Sequence, residues 1–252
     1  MAPPIAAPLS AIDQREQLLR QYVASLNEEE MARRYREDDG VLVLPQLFPE
    51  PLIEEMAAEA RQLLPRAVRK RVLFVRKAGA ISHPLIVAEA PAMHVLHQSP
   101  ALLALFERVT GIPLEHRDPG EAHASALYTY TKPGDWMNWH YDECGLPPGE
   151  SFSTIVGLID NSTSRLEIET RRDQPGKQPI QRSLQTIPGT FVFLCGTRVY
   201  HRVTPLGEGE ERVTLAFTYV RQGRKPSGIY KFRLRLGNAL VYFGMDHLIR
   251  RS

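Results

Sequence analysis

The run TFVFLCGTRVYHRVTPLGEGEERVTLAFTYVR, residues 190–221, contains three β-prone stretches at about 190–195, 198–204 and 211–221. Pro188-Gly189 precedes the first, and Gly207-Glu208-Gly209 parts the last two. Upstream, similar runs occur at about 124–131, 152–160, 165–170 and 179–186, with Asp160-Asn161-Ser162 among the turn clusters between them. Seven short strands at close spacing predict a β-sandwich or barrel of the jelly-roll kind, with a core over about 120–236. Before residue 110 the texture is helical. Apolar residues recur at helical spacing from Ala11 to about Tyr35, again from about Leu52 to Leu64 after Pro51, and from about Ala92 to Val109 before Gly111. A short apolar run, Val41 to Pro45, follows the break at Asp39-Gly40. The expected fold class is mainly β with flanking helices packed on one outer face of a double-stranded β-helix, jelly-roll or cupin-like, core. Residues 1–10 read as a flexible tail and 11–252 as one domain, helical support lying mostly in 11–110.

Composition sets the partners. The 252 residues carry 31 Lys+Arg against 29 Asp+Glu, a formal net charge of +2, so no broad attraction to nucleic acid or anionic lipid is expected. The alternating Lys231 to Leu236 reads as an edge strand guarded by basic side chains. No stretch reaches the ~18 apolar residues of a membrane span. The opening MAPPIAAPLS has no basic n-region and three prolines, unlike a signal peptide. Two cysteines, Cys144 and Cys195, suit a reducing compartment, so a cytoplasmic protein is expected.

The chemistry centres on YTKPGDWMNWHYD, residues 130–142. On an extended strand, His140 and Asp142 would share a face with Cα atoms about 6.6 Å apart, a spacing that lets imidazole and carboxylate meet on one ion. A competing pair, His116-Arg117-Asp118, runs into Pro119-Gly120 and reads as a surface turn. His201, in a β-prone run, is the expected third ligand. Two His and one carboxylate with open positions form the facial triad of non-haem Fe(II) oxygenases. Arg212, Thr214, Ala216 and Thr218 alternate onto one face of their strand. A guanidinium there, with the Thr214 hydroxyl, could anchor a dicarboxylate co-substrate. Arg198, Arg202 and Arg221 are its rivals, and strand alternation prefers Arg212. Trp139, like Trp136, could line a substrate pocket or cap the barrel.

The order Tyr130, Gly134, His140-Tyr141-Asp142, Pro188-Gly189-Thr190 with Phe191 and Phe193, His201, then Arg212-Val213-Thr214, resembles the Fe(II)/2-oxoglutarate-dependent dioxygenases. Asp39-Gly40-Val41 through Pro45 and Leu47-Phe48 also looks like the opening of such proteins, so the resemblance spans about residues 35–221. It implies iron held by His140, Asp142 and His201, with 2-oxoglutarate and O2 as co-substrates. Arg212 would take the distal carboxylate of 2-oxoglutarate, assisted by Tyr128 or Tyr130. Within the family the chain is most similar to small bacterial enzymes that hydroxylate or halogenate free amino acids. The halogenating members replace the metal carboxylate by Gly or Ala, so Asp142 implies hydroxylation of an unactivated C–H. Glu143 and Thr218, and more loosely Arg76 and His123, fall where such enzymes contact substrate. Desaturation, cyclisation and halogenation within the family, and a non-catalytic cupin-like metal module, are the alternatives. The expected partner is a small molecule, an amino acid or derivative, handled by a monomer or homodimer.

Overall fold

The computed structural model describes residues 10–142, 146–223 and 236–244. Two helices open it, α1 (Ala11–Ala24) and α2 (Glu28–Glu37). Ser10 starts α1 with a capping box, its hydroxyl accepting the Asp13 N–H while the Asp13 carboxylate accepts the Ser10 N–H. Asn27 caps α2 by accepting the Glu30 N–H at 3.0 Å. The chain then turns at Asp39-Gly40 into β1 (Val41–Leu44), and α3 (Glu50–Leu63) follows.

Between 68 and 116 the structure departs from expectation. No element is expected between the helical patterns ending at Leu64 and beginning at Ala92, yet β2 (Val68–Val72), β3 (Arg76–Ser82) and α4 (His83–Glu89) occupy it, and β3 pairs with β2. The single helical pattern over 92–109 is two helices, α5 (Pro91–Gln98) and α6 (Pro100–Thr110). Ser99 divides them because Pro100 cannot donate a backbone hydrogen bond, and the Ser99 hydroxyl then caps α6 through Leu102 N–H. Gly111, at φ 69°, ends α6 in the left-handed conformation. The His116-Arg117-Asp118 segment is not a surface turn throughout. His116 closes β4 (Leu114–His116) with its ring 5.4 Å from that of His97, Arg117 is buried, and only the turn after it is exposed.

The expected strands follow as β5 (Ser125–Tyr130), β7 (Ser151–Asp160), β8 (Leu166–Thr170), β9 (Ile180–Leu184), β10 (Phe191–Cys195), β11 (Tyr200–Val203) and β12 (Arg212–Arg221), with β6 (Trp136–His140) between the first two. All pair antiparallel in one curled sheet, ordered β1-β10-β7-β12-β5-β3-β6-β11-β8-β9, with β2 on β3 and β4 on β12. Of the expected edge strand 231–236, only Leu236 lies within the described residues, and it is helical, leading into a π-helical turn at Ala239–Phe243.

The core lies between helices and sheet. Phe106 of α6 stacks on Phe193 of β10 with ring centres 4.0 Å apart. Val213, Leu215, Phe217 and Tyr219 of β12 are buried, and the Phe217 and Tyr219 rings meet His97 of α5 and Phe106 of α6. The opposite face of β12 is thereby left for the concave side of the sheet.

Candidate metal centre and its cavity

His140 ends β6 directly opposite His201 of β11, and the two rings lie 4.3 Å apart. Asp142 reaches them by another route than strand alternation. The strand stops at His140, and Asp142 sits in the turn beyond, its N–H donating to the Gly196 carbonyl at 3.0 Å. Gly196 leaves room for this contact. A Cβ at that position would stand 3.2 Å from the Asp142 Cβ and 3.0 Å from Ser153 Oγ. The Asp142 Oδ1 thus lies 3.5 Å from His140 Nε2 and 3.4 Å from His201 Nε2. One ligand atom from each residue falls within 4.8 Å of the others, the only such group found among the described residues.

The second ring nitrogens explain which atoms point inward. His140 Nδ1 sits 2.7 Å from the Asn138 carbonyl and His201 Nδ1 3.2 Å from the Val199 carbonyl. A backbone carbonyl only accepts, so each Nδ1 carries the proton and each Nε2 keeps its lone pair for a metal. Burial alone would raise the Asp142 pKa, but His201 and His140 beside it hold the carboxyl well below its usual range. Burial likewise opposes protonation of His201, and the Asp142 carboxylate outweighs it, raising the His201 pKa. Two imidazole nitrogens and an ionised carboxylate oxygen suit a divalent first-row metal, Fe(II) among them.

The triad opens into a cavity of about 440 Å³. Arg212, Thr214, Ala216 and Thr218 all line it, as one face of β12. Arg212 is fully buried. Its Nε donates to Thr186 Oγ1 at 2.9 Å, its guanidinium lies 5.5 Å from the Tyr130 ring centre, and its Nη1 has no partner among the described residues. Desolvation lowers its pKa. A buried donor left open costs free energy unless something fills the place, so this one suits an anionic ligand. The rivals point elsewhere: Arg202 pairs with Glu167, Arg221 with Glu150, and Arg198 is exposed.

Tyr128 and Tyr130 also line the cavity, their phenols pushed up in pKa by burial. So do Trp139, stacked on Tyr200 at 5.2 Å, and His123. The His123 Nδ1 lies 2.7 Å from Asn238 Oδ1, and burial lowers the ring's pKa to about 3. Arg76 does not line the cavity. It is buried behind the wall, its guanidinium 4.5 Å from the Tyr242 ring centre and donating to the Gly79 carbonyl. Glu143 and Cys144 lie outside the described residues, and Cys195 is a buried free thiol. Sequence reasoning missed Arg117, Asn238 and Tyr242 as lining residues. For Arg117 the only signal was a basic side chain next to a turn; for the other two there was none, since no periodicity marks that segment.

Residues 23–145 match the family model described as HalD, Halogenase D. Among solved structures, the chain is similar to the non-heme alpha ketoglutarate dependent epimerase SnoN from nogalamycin biosynthesis, with 20% identity, 82% of this chain and 88% of that one covered, and a TM-score of 0.66. The carbocyclase SnoK from the same biosynthesis gives 16% identity, 91% and 92% coverage and a TM-score of 0.63. A Pseudomonas putida prolyl-4-hydroxylase gives 16%, 79% and 100%, and 0.52. A search of curated proteins finds no match. The chain has the fold of the non-haem Fe(II)/2-oxoglutarate-dependent oxygenases, and over residues 23–145 it is similar to the Halogenase D family.

Proposed function

We propose that the protein is an Fe(II)/2-oxoglutarate-dependent oxygenase that hydroxylates an unactivated C–H of a small polar metabolite, an amino acid or a derivative of one. The observation that carries this reading is Arg212, a buried guanidinium with an open donor in the same cavity as the His140-Asp142-His201 set. A passive cupin-like metal module has no use for such a group, and a 2-oxo dicarboxylate has.

His140 Nε2, His201 Nε2 and Asp142 Oδ1 would hold the iron, and Arg212 with Thr214 the distal carboxylate of 2-oxoglutarate. Tyr130, register partner of Arg212 on β5, supports the guanidinium from below, with Tyr128 on the same strand. When bound, ferrous iron with 2-oxoglutarate and O2 supplies an oxidation strong enough to break an aliphatic C–H, with succinate and CO2 as by-products. The residues bind, orient and keep water away. Thr218, His123 and Trp139 line the space left for the substrate; Glu143 is proposed on resemblance alone. Hydroxylation is favoured over halogenation because Asp142 fills the third protein position, which leaves no vacancy for a halide. A cytoplasmic location fits the free Cys195 thiol, and a monomer or homodimer is proposed with it.

The test is a screen of amino acids and derivatives for substrate-dependent conversion of 2-oxoglutarate to succinate, with product mass read in parallel. A gain of one oxygen atom supports hydroxylation. A chlorinated product with Asp142 intact would overturn it.

A further inference from the structure

Three consecutive apolar side chains stand in solvent at the tip of the β2–β3 hairpin: Leu73 is 68% exposed, Phe74 77% and Val75 41%. Phe74 and Val75 also line the cavity that contains the triad. Exposed apolar surface continuous with a binding cavity marks a place where something apolar is to be covered.

The tip is held in shape. Phe74 has φ 62°, a left-handed conformation that glycine or asparagine adopts at far lower cost than a bulky aromatic residue. Asn138 fixes it, its side-chain amide donating to the Phe74 carbonyl at 2.8 Å and its N–H to the Val75 carbonyl at 2.9 Å. The Asn138 carbonyl is also the acceptor that orients His140. One residue therefore keeps the tip in register with the metal ligands. Trp139, next in sequence, lines the same cavity, stacks on the Tyr200 ring and has the Arg202 guanidinium 5.0 Å from its ring centre. Neither the ligand set nor the Arg212 anchor uses the tip. Asn138 holds the strained backbone of Phe74 in place, and in the free protein its ring, 77% exposed, contributes little burial of its own. Two of the hairpin's cations are engaged, Arg69 with Asp135 and Lys77 with the Pro133 carbonyl, and Arg71 is exposed on the strand that leads into the tip.

We propose that Leu73, Phe74, Val75 and Trp139 form a hydrophobic sill, and that the substrate is an amino acid derivative whose bulky aromatic or branched apolar group leaves the cavity mouth across it. This rests on the oxygenase reading above and specifies its substrate class.

The test is anaerobic calorimetry on the full chain loaded with Fe(II) and 2-oxoglutarate, titrated with the 2-naphthylamides of lysine, arginine, leucine and glutamate and, as matched controls, their methylamides. At least one naphthylamide is expected to bind ~10-fold or more tighter than its methylamide. Phe74→Gly, which relieves the left-handed strain and removes the ring, is expected to melt no lower than wild type and to lose that gain. Equal or undetectable binding of every pair, or a gain that survives Phe74→Gly, would overturn the sill. Co-sedimentation with phosphatidylglycerol vesicles that Phe74→Gly abolishes would also overturn it, assigning the tip to a membrane. The 2-oxoglutarate titration used for loading reads the underlying function separately. No binding there overturns both proposals, whereas binding without a naphthyl gain overturns the sill alone.

Discussion

At the scale of single residues, the three candidate ligands are joined by a glycine whose missing side chain keeps space beside Asp142. Gly196 lets the Asp142 turn close onto β11, where a Cβ would meet Asp142 and Ser153 at 3.0–3.3 Å. Gly196→Ala is therefore expected to leave the melting temperature nearly unchanged while weakening Fe(II) binding ~10–100-fold, the size of effect that follows when a ligand's support is displaced; undiminished metal affinity would mean that Asp142 is not held by this contact. His140→Ala is expected to abolish substrate-coupled succinate formation, and retention of that activity would remove His140 from the ligand set. The proximity of the three candidate ligands was legible because His-x-Asp, a distant His in a β-prone run and an Arg among β-formers are an unusual combination. Their convergence was legible for the wrong reason. Asp142 reaches His140 through a turn held by a backbone hydrogen bond to Gly196, a long-range contact that residue spacing does not encode.

At the scale of elements, the helices form a buttress whose contact with the sheet is aromatic. Phe106 of α6 is fully buried and stacked on Phe193, so Phe106→Ala is expected to destabilise the fold by about 3–5 kcal/mol. A denaturant midpoint within error of wild type would show that α6 is dispensable to the core. Seven of the eight strands after residue 120 could be read because they are β-prone runs bounded by turn residues, and β10, FVFLC, is buried at every position. The hairpin β2–β3 escaped because VRKRV alternates between half-buried and exposed, so its strand pattern is carried by cations instead of apolar residues. The division between α5 and α6 was written in Ser99-Pro100, a capping residue before a proline, but the apolar periodicity runs through it.

At the scale of the whole molecule, the helical layer meets the sheet through a cluster of buried and half-buried histidines that the proposed chemistry does not use. His83 and His97 rings lie 5.2 Å apart, and His97 and His116 rings 5.4 Å. Burial pushes His83 down to about 4 and His97 down to about 2, and lowers His94 and His116 as well. An unfolded chain takes up protons on these rings near pH 6.5, while the folded one resists, so stability is complete above that pH and falls as pH drops from about 6.5 toward 4. Melting temperatures measured from pH 7.5 to 5 should decline, and His97→Gln should shallow that decline; an unchanged slope would place the acid sensitivity elsewhere. The same layering leaves the polar face of β12 to the cavity, where Arg212 and the triad share one space. That shared space is tested most directly by anaerobic calorimetric titration of 2-oxoglutarate into the Fe(II)-loaded protein and into its Arg212→Met variant. Saturable binding by the wild type that is lost or weakened ~100-fold in the variant is expected for a buried guanidinium that anchors a carboxylate. Equal affinity in the two proteins, or no binding to either, would contradict it.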